Sequence, residues 1–358
     1  MNSPRFARPT HCFRKLTAVA LASLVVGGAA GSLTAEDAIP FAAFAQFERM
    51  PDANPLLVVD PPNWAAAAHV VVVDDTVHYY WSQRDGRNFW DLRHSTAPVS
   101  DLTQRTHDPR NPILTPPATG MDSKSVEYPN PFFNPRDGRY YMYYLVKADD
   151  RNGPTPKQTG LLSTDGDMGD WRRMSDTPVI AAEYHHELGV AGHTSTAIVG
   201  DTIHIIYTAM TSYRYNPTIC HATASLSDPA IITKNPQNPV FTGSGESWDS
   251  EGVREAEIFV GPEYFHIFYG GRGADRVYHI GHVRTKDFAT FEANPYNPIF
   301  TTAEDPNAWD SDGLLTPHVF QLGDSYYMLY AGLNGAGWHD GHCLSGLARA
   351  PVWSPSKP

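Results

Sequence analysis

The chain has 358 residues, a formal net charge of −12, 12% aromatic residues and 30 prolines. Aromatic residues and prolines at this level are typical of a turn-rich all-β protein. The acidic balance and the lack of a basic stripe argue against nucleic-acid binding. The sequence also lacks a phosphate-binding loop, a His-Glu-x-x-His motif, a Cys-x-x-Cys pair and a Gly-x-Ser-x-Gly elbow. These absences argue against nucleotide, zinc-protease and serine-hydrolase chemistry.

The N-terminal segment is predicted to be a secretory signal and not part of the fold. Basic residues between positions 5 and 15 precede an apolar run over 16–30 that is short for a membrane span. We assign the signal to residues 1–35, with cleavage between 30 and 45, so the mature protein is expected to be secreted or periplasmic and free of the membrane. Cys12 leaves with the signal. Cys220 and Cys343 lie in third strands of different repeats, so both thiols are predicted to be unpaired.

A repeat of about 60 residues organises the rest of the chain. An aromatic residue closes a hydrophobic, alternating strand at spacings of 63, 63, 62 and 61 residues, at Trp81, Tyr144, Tyr207, Tyr269 and Tyr330. A proline that opens a short apolar strand recurs at similar spacings, at Pro55, Pro112, Pro178, Pro239 and Pro298. Four short strands fill one such period. The sequence therefore predicts an all-β fold, a five-bladed β-propeller.

One propeller domain is expected over residues 46–358, because the repeat runs almost to the end of the chain. The last repeat lacks a fourth strand of its own, while the segment from Asn54 is a spare copy of that strand. We expect an N-terminal strand to pair with the last blade and close the ring, since closure removes exposed strand edges.

The first strand of each blade is predicted to line a central channel. Counting fourteen residues back from each closing aromatic gives Ala67, Asn130 (or Pro129), His193, Glu255 and Thr316. Side chains alternate along a strand, so the residues two positions on face the same way: His69, Pro131 or Phe132, Ser195, Glu257 and His318. Buried unpaired charges are costly. The convergence of glutamates and histidines on one axis therefore predicts a functional cavity, with a water-filled structural channel as the alternative.

Residues 254–259, Arg-Glu-Ala-Glu-Ile-Phe, resemble a strand of the five-bladed propeller glycosidases, of which glycoside hydrolase family 43 is the largest. That family's strand reads Glu-Gly/Ala-Pro-x-hydrophobic, and its first glutamate is the general acid. The resemblance implies this role for Glu255, because a glycosidic oxygen leaves readily only when a carboxylic acid protonates it. Glu257 is the alternative acid.

The chain departs from that family at two positions. Ala67 replaces the general-base aspartate of the first blade, and His193 replaces the aspartate that tunes the acid. The candidate bases are Asp60, just ahead of the first inner strand, and Asp249. Asp249 occupies a slot that recurs in two other blades, with Asp122 and Asp310. A residue reproduced by the repeat favours a structural role, such as capping a turn.

The remaining candidate residues are assigned to substrate binding: His69, His193, Arg254, Glu257, His318, Trp248 and Trp309. The two tryptophans would offer flat apolar faces to sugar rings. No metal ligand is assigned and no cofactor is predicted to be required. The histidines with Glu257 leave open a divalent ion, since some glycosidases that this chain resembles hold Ca²⁺ near the propeller axis through one histidine and waters.

The expected function is a secreted glycoside hydrolase that acts on oligo- or polysaccharide, with the inverting mechanism that the resemblance implies. One alternative is a carbohydrate-binding propeller that has lost its catalytic base. Another is a polysaccharide lyase that uses a histidine and a tyrosine beside a uronate. A carboxylate across the pocket from Glu255 would favour the hydrolase, whereas Arg84, Arg254 and Arg272 in the pocket would favour uronate binding.

Overall fold

The computed structural model describes residues 38–59, 63–84, 89–151, 153–212, 216–335 and 342–354. Within these ranges the protein is all-β, and its helical content is limited to 3₁₀ turns at Phe41–Ala45, Pro51–Ala53, His185–Glu187 and Ser247–Asp249. No helix of the described ranges is long and apolar enough to cross a membrane. The predicted signal, residues 1–35, lies outside the described residues.

The strands fall into five antiparallel units that repeat one pattern. In chain order they are β1 (Glu48–Arg49), β2 (Trp64–Val73), β3 (Thr76–Arg84), β4 (Trp90–Pro98), β5 (Thr106–His107), β6 (Ser125–Asn134), β7 (Arg139–Lys147), β8 (Lys157–Thr164), β9 (Arg172–Arg173), β10 (Val190–Val199), β11 (Thr202–Met210), β12 (Thr218–Ser225), β13 (Asp228–Lys234), β14 (Gly252–Val260), β15 (Phe265–Arg272), β16 (Tyr278–Thr285), β17 (Glu292–Ala293), β18 (Gly313–Leu322), β19 (Ser325–Asn334) and β20 (His342–Pro351). Unit 1 is β2–β5, unit 2 is β6–β9, unit 3 is β10–β13, unit 4 is β14–β17 and unit 5 is β18–β20.

The first strands of the units come together. Strand β2 contacts β6, β6 contacts β10, β10 contacts β14, β14 contacts β18, and β18 contacts β2. Residues that are far apart in sequence but lie on these strands therefore meet in one region. Seven apolar clusters, several of which join neighbouring units, form the core around it.

The segment before β2 packs against the last unit. Strand β1 pairs antiparallel with β20, with Glu48 opposite Arg349. The Asn54 side chain accepts a hydrogen bond from the Leu347 N–H at 2.6 Å and donates one to the Leu347 carbonyl at 2.9 Å. The N-terminal segment thus supplies unit 5 with the outer contacts that other units obtain from their own fourth-strand region.

The folded region begins earlier than the predicted domain start at residue 46. Phe44 is fully buried, and its ring contacts the rings of Phe259, His266 and Phe268. Ile39 is also buried in this cluster. Ile39, Ala43 and Phe44 are therefore part of the core.

The prediction of two unpaired thiols is confirmed. Cys220 lies in β12 and Cys343 in β20, and both are buried and free. Burial is the main reason that the pKa of Cys220 is raised to about 12.

Candidate active site

A bulge in the first strand of every unit directs one residue into a common cavity. Each first strand shifts register once against its neighbour. One residue at each shift has a positive φ, between 49° and 55°: Ala67, Tyr128, His193, Glu255 and Thr316. Non-glycine residues rarely adopt positive φ, and such backbone is enriched at functional sites. All of them line a cavity of about 590 Å³.

Unit 2 departs from the predicted alignment. The sequence assigned Asn130 or Pro129 to the bulge position, whereas the structure has Tyr128 there. The reason is the turn between β6 and β7, which has two more residues than the turn between β2 and β3. The residue two positions on is accordingly Asn130, and the expectation of Pro131 or Phe132 at that place is wrong.

Glu255 lies at the bulge of β14 with its carboxylate buried. It forms an ion pair with the Arg254 guanidinium, and its Oε1 atom is 4.0 Å from Nδ1 of His193. Its backbone N–H donates to the Thr208 hydroxyl at 2.8 Å, which fixes the bulge. Burial lowers the pKa of Arg254, but Glu255 and Tyr278 outweigh it and raise that pKa above its ordinary value. Arg254 is therefore a permanent cation beside this carboxylate.

His193 and Tyr128 form a neutral pair in the same cavity. Their ring centroids are 4.0 Å apart. Burial, assisted by Arg254 and Lys157, places the pKa of His193 well below its ordinary value. Burial and the charge of Glu255 place the pKa of Tyr128 well above its ordinary value. At neutral pH the histidine is thus an unprotonated base and the tyrosine a protonated phenol.

A second carboxylate in the cavity, Glu127, was missed by the sequence analysis. Its Oε2 atom accepts from Lys157 Nζ at 2.7 Å, and the Ser125 hydroxyl donates to its Oε1. Glu127 precedes Tyr128 as Arg254 precedes Glu255. The sequence contains this correspondence, but counting back from Tyr144 over the longer turn of unit 2 gives the wrong position.

An aromatic wall carries three arginines on the side of units 1, 4 and 5. Trp64, Trp90 and Tyr278 belong to one apolar cluster that also contains Cys343. The Arg84 guanidinium lies 4.2 Å from the Trp64 ring centre. Arg254 and Arg272 lie 5.8 and 5.3 Å from the ring centre of Tyr278. All these aromatic and arginine residues line the cavity.

A second layer of polar residues lies two positions further along the first strands. Glu257 contacts His69 and His318, with 3.0 Å from Oε2 to His69 Nε2 and 3.0 Å from Oε1 to His318 Nδ1. The Val70 N–H donates to Nε2 of His318 at 3.2 Å, so the proton of a neutral His318 is on Nδ1. Burial raises the pKa of Glu257, but His318 and His69 outweigh it and lower that pKa to about 2. These three residues do not line the cavity.

This second layer is the group of described residues that comes nearest to a metal site. Donor atoms of His69, Glu257 and His318 lie within 4.8 Å of one another. Ca²⁺ takes six to eight oxygen ligands, and this set offers one carboxylate. These three residues would therefore hold Ca²⁺ only with water supplying most of the oxygen ligands.

Several predicted site residues lie away from the cavity. Asp249 is fully buried and accepts hydrogen bonds from Tyr269 Oη at 2.9 Å and from the Ser244 N–H at 2.7 Å. Trp248 stacks on Tyr269, with 5.7 Å between ring centres. Trp309 stacks in the same way on a tyrosine of unit 5. None of these residues lines the cavity, so the geometry disfavours Asp249 as a base and the two tryptophans as sugar platforms. Asp60 lies outside the described residues.

Comparison with known proteins shows similarity in structure but not in sequence. No protein-family profile and no curated protein sequence matches the chain. A structure from the GH130 family of mannoside phosphorylases, a family said to contain glycoside hydrolases that target β-1,2 mannosidic linkages in Candida mannan, has 16% identity and a TM-score of 0.65, over 89% of this chain and 99% of that one. The catalytic domain of the Coprinopsis cinerea GH62 α-L-arabinofuranosidase has 13% identity and a TM-score of 0.62, over 87% and 98%. A thermostable family-43 glycoside hydrolase has 15% identity and a TM-score of 0.58, over 83% and 93%. The fold resemblance to the propeller glycosidases is thereby confirmed.

Proposed function

We propose that this protein is a glycoside hydrolase whose five units are the blades of one closed propeller. The observation that carries the proposal is the position of Glu255, which sits on a strained bulge at the cavity, buried beside Arg254 and His193. The cycle of contacts among the first strands and the pairing of β1 with β20 support the closed ring. Residues 1–35 are proposed to direct export of the enzyme.

Two carboxylates can divide the chemistry between them. Glu255 in its carboxylic acid form gives its proton to the leaving oxygen, and Glu127, from a unit that is not adjacent, takes a proton from the attacking water. Exchange with solvent then returns both groups to their starting states. Hydrolysis with inversion needs the two carboxyl groups about 6.5–9.5 Å apart, so that water fits between the base and the sugar. Lys157 and Ser125 hold the Glu127 carboxylate in place. The presence of Glu127 also favours an enzyme over a carbohydrate-binding module. It gives the cavity a second carboxylate, which comes from a different unit than Glu255.

The test is turnover on a panel of oligosaccharides and alkyl glycosides, whose leaving oxygen needs a proton, by the unmutated protein and by Glu255→Gln. Loss of the general acid is expected to lower kcat by about 100-fold or more. Glu292→Gln is the matched control, because Glu292 also pairs with an arginine, Arg284, but lies outside the cavity. Retained turnover in Glu255→Gln contradicts the proposal.

A second variant identifies the base. Glu127→Gln is expected to lose turnover and to regain part of it with added azide, because a small anionic nucleophile replaces the activated water. Proton NMR of the first product anomer reports inversion or retention. Asp60→Asn is the competing variant, and a rescue by azide seen there and not in Glu127→Gln assigns the base to Asp60.

A polysaccharide lyase is the second candidate, and the pair of Tyr128 and His193 supports it. A neutral histidine can remove the proton beside a uronate, and a protonated tyrosine can protonate the leaving oxygen. Both groups have the protonation state that this needs. Eliminative cleavage leaves an unsaturated sugar with a characteristic ultraviolet absorbance, which hydrolysis does not produce. That absorbance decides between the two reactions.

A further inference from the structure

The charge of the cavity differs in sign from the charge of the whole protein. Its described lining includes four cationic side chains and two carboxylates: Arg84, Lys157, Arg254, Arg272, Glu127 and Glu255. The chain as a whole has a net charge of −12. A local excess of positive charge in a concave, largely buried site attracts anions and strengthens their binding.

The cations are not evenly distributed in the cavity. Lys157 lies in unit 2, where it pairs with Glu127. The three arginines lie on the aromatic wall of Trp64, Trp90 and Tyr278. Arg254 and Arg272 flank the same tyrosine ring from neighbouring strands, since Arg254 is on β14 and Arg272 is on β15.

The arginines of the wall lie over aromatic rings, at 4.2 Å from the Trp64 ring centre for Arg84 and at 5.8 and 5.3 Å from the Tyr278 ring centre for Arg254 and Arg272. The N–H donors of a guanidinium group lie in one plane, where two of them can bind two oxygens of one anion. Nε of Arg272 is buried without a hydrogen-bond partner among the described residues. The nearest paired carboxylate is that of Glu251, which is half-exposed and whose Oε2 atom lies 3.7 Å from Nη2 of Arg272. A buried donor of this kind is costly unless a ligand or water satisfies it.

We propose that the wall formed by Arg84, Arg254 and Arg272 is an oxyanion subsite, so that the enzyme acts on an anionic ligand. This inference rests on the proposed function, in which Glu255 cleaves a glycoside in the same cavity. The oxyanion is either the carboxylate of a uronic acid residue in the glycan or an inorganic phosphate. In the second case a phosphate oxygen would bond to the anomeric carbon in place of water, the glycosidic bond would break, and the leaving oxygen would take its proton from Glu255, so that the products are a sugar phosphate and an alcohol. Both oxyanions present paired oxygens to guanidinium groups.

Binding and turnover on matched sugars test the subsite. The probes are aryl glucuronides against aryl glucosides, aryl galacturonides against aryl galactosides, and inorganic phosphate, with calorimetry for binding and release of the aryl group for turnover. We expect one uronide to bind at least about 10-fold more tightly than its neutral partner, or phosphate to bind and to be required for cleavage. The first result assigns the subsite to a sugar carboxylate and the second to phosphate.

Variants of the wall show whether the arginines are responsible. Arg272→Gln and Arg84→Gln are expected to weaken binding of the anionic probe by about 10-fold each and to weaken binding of the neutral sugar by a clearly smaller factor, with Arg272→Lys intermediate. Arg284→Gln is the matched control, since Arg284 also lies over aromatic rings, those of Phe41 and Tyr264, and pairs with a glutamate. Thermal unfolding identifies any variant that has lost its fold.

The remaining outcomes separate this inference from the proposed function. Turnover of neutral sugars that depends on Glu255 but not on Arg272 or Arg84 overturns the oxyanion subsite and leaves the hydrolase standing. An anion that binds through the arginines without any cleavage overturns the hydrolase and leaves the subsite standing. Equal weakening of charged and neutral probes, or no binding of any anion, overturns the subsite.

Discussion

Two sets of equivalent positions in the repeat behave in opposite ways. In the slot before the first strand, units 2, 4 and 5 keep an aspartate, and each aspartate accepts a hydrogen bond from the tyrosine that closes the second strand: Asp122 from Tyr144, Asp249 from Tyr269 and Asp310 from Tyr330. Unit 3 makes the same bond with Glu187 and Tyr207. The bulge positions of the first strands instead carry a different residue type in every unit.

This difference distinguishes residues with a structural role from residues with a functional role by comparing the units of one chain. A side chain that the repeat reproduces makes the same contact in each unit, so its role is to hold the unit together. The backbone of the bulge is reproduced, but its side chain is free to differ, because it faces the cavity and not the neighbouring strand. The most diverse positions of the repeat are therefore where the chemistry is expected.

The largest expected effect is acid destabilisation through histidines that link the second and third strands. Burial and a neighbouring histidine lower the pKa of His78 to about 4 and that of His221 to about 3. Burial and Arg284 lower the pKa of His266 to about 3. Each is neutral in the folded state and takes up a proton on unfolding below about pH 6.5.

The stabilisation from these histidines is therefore complete above about pH 6.5 and is lost as the pH falls towards the folded-state pKa. Each histidine lowers the free energy of unfolding by at most about 1.4 kcal/mol per pH unit in that window. Carboxylates such as Glu257 and Asp150, whose pKa values are lowered to about 2, add their loss only at lower pH. Urea unfolding between about pH 7 and pH 4 measures the slope. The dependence of the free energy of unfolding on pH should be weaker in His78→Gln. It should be unchanged in His185→Gln, which alters an exposed histidine. A flat profile contradicts the prediction.

The second prediction compares the loss of stability when one residue of each set is replaced by alanine. Asp249→Ala leaves the Tyr269 hydroxyl and the Ser244 N–H without their buried acceptor, and we expect the free energy of unfolding to fall by about 3 kcal/mol. Thr316→Ala removes a bulge hydroxyl that is buried without a hydrogen-bond partner among the described residues, and we expect no loss of stability. Urea unfolding measures both. Equal losses in the two variants would show that the sets do not differ.

Much of the fold could be predicted because the residues that recur along the sequence make the same contacts in several units. The asparagines that precede the marker prolines hold the third strands, as Asn111 does by bonding the N–H and the carbonyl of His94 at 2.8 and 2.7 Å. Asn54 makes the same pair of bonds to Leu347 in unit 5. Such local hydrogen bonds recur at a fixed spacing, so the spacing reveals them.

The site could be predicted less well because it depends on register and on packing. Two extra residues in the turn of unit 2 were enough to hide Glu127 and Tyr128, since a register shift changes which side chains face the cavity. Trp248, which the sequence predicts as a sugar platform, fills the space left by Gly271 and Gly281, where a Cβ atom would lie 2.4 and 2.3 Å from the indole. Trp248 and Trp309 share one slot of the repeat, as the aspartates do, so the rule applied to Asp249 predicts a packing role for them as well.

The third prediction compares glycine substitutions at a bulge position and at an ordinary position of the same strand, β2, and its effects on stability are small. Ala67 has φ 55°, a conformation that costs an L-residue about 1 kcal/mol and costs glycine nothing. Ala67→Gly is therefore expected to leave stability unchanged or to raise it by up to about 1 kcal/mol, because the relief of strain outweighs the added freedom of the unfolded chain. Ala65→Gly, in ordinary strand conformation two residues earlier on β2, is expected to lower stability by about 1 kcal/mol. Chemical unfolding of both variants gives the sign of each change. The same sign for the two would mean that the bulge carries no backbone strain, and the inner positions would then differ from the outer ones only in their side chains.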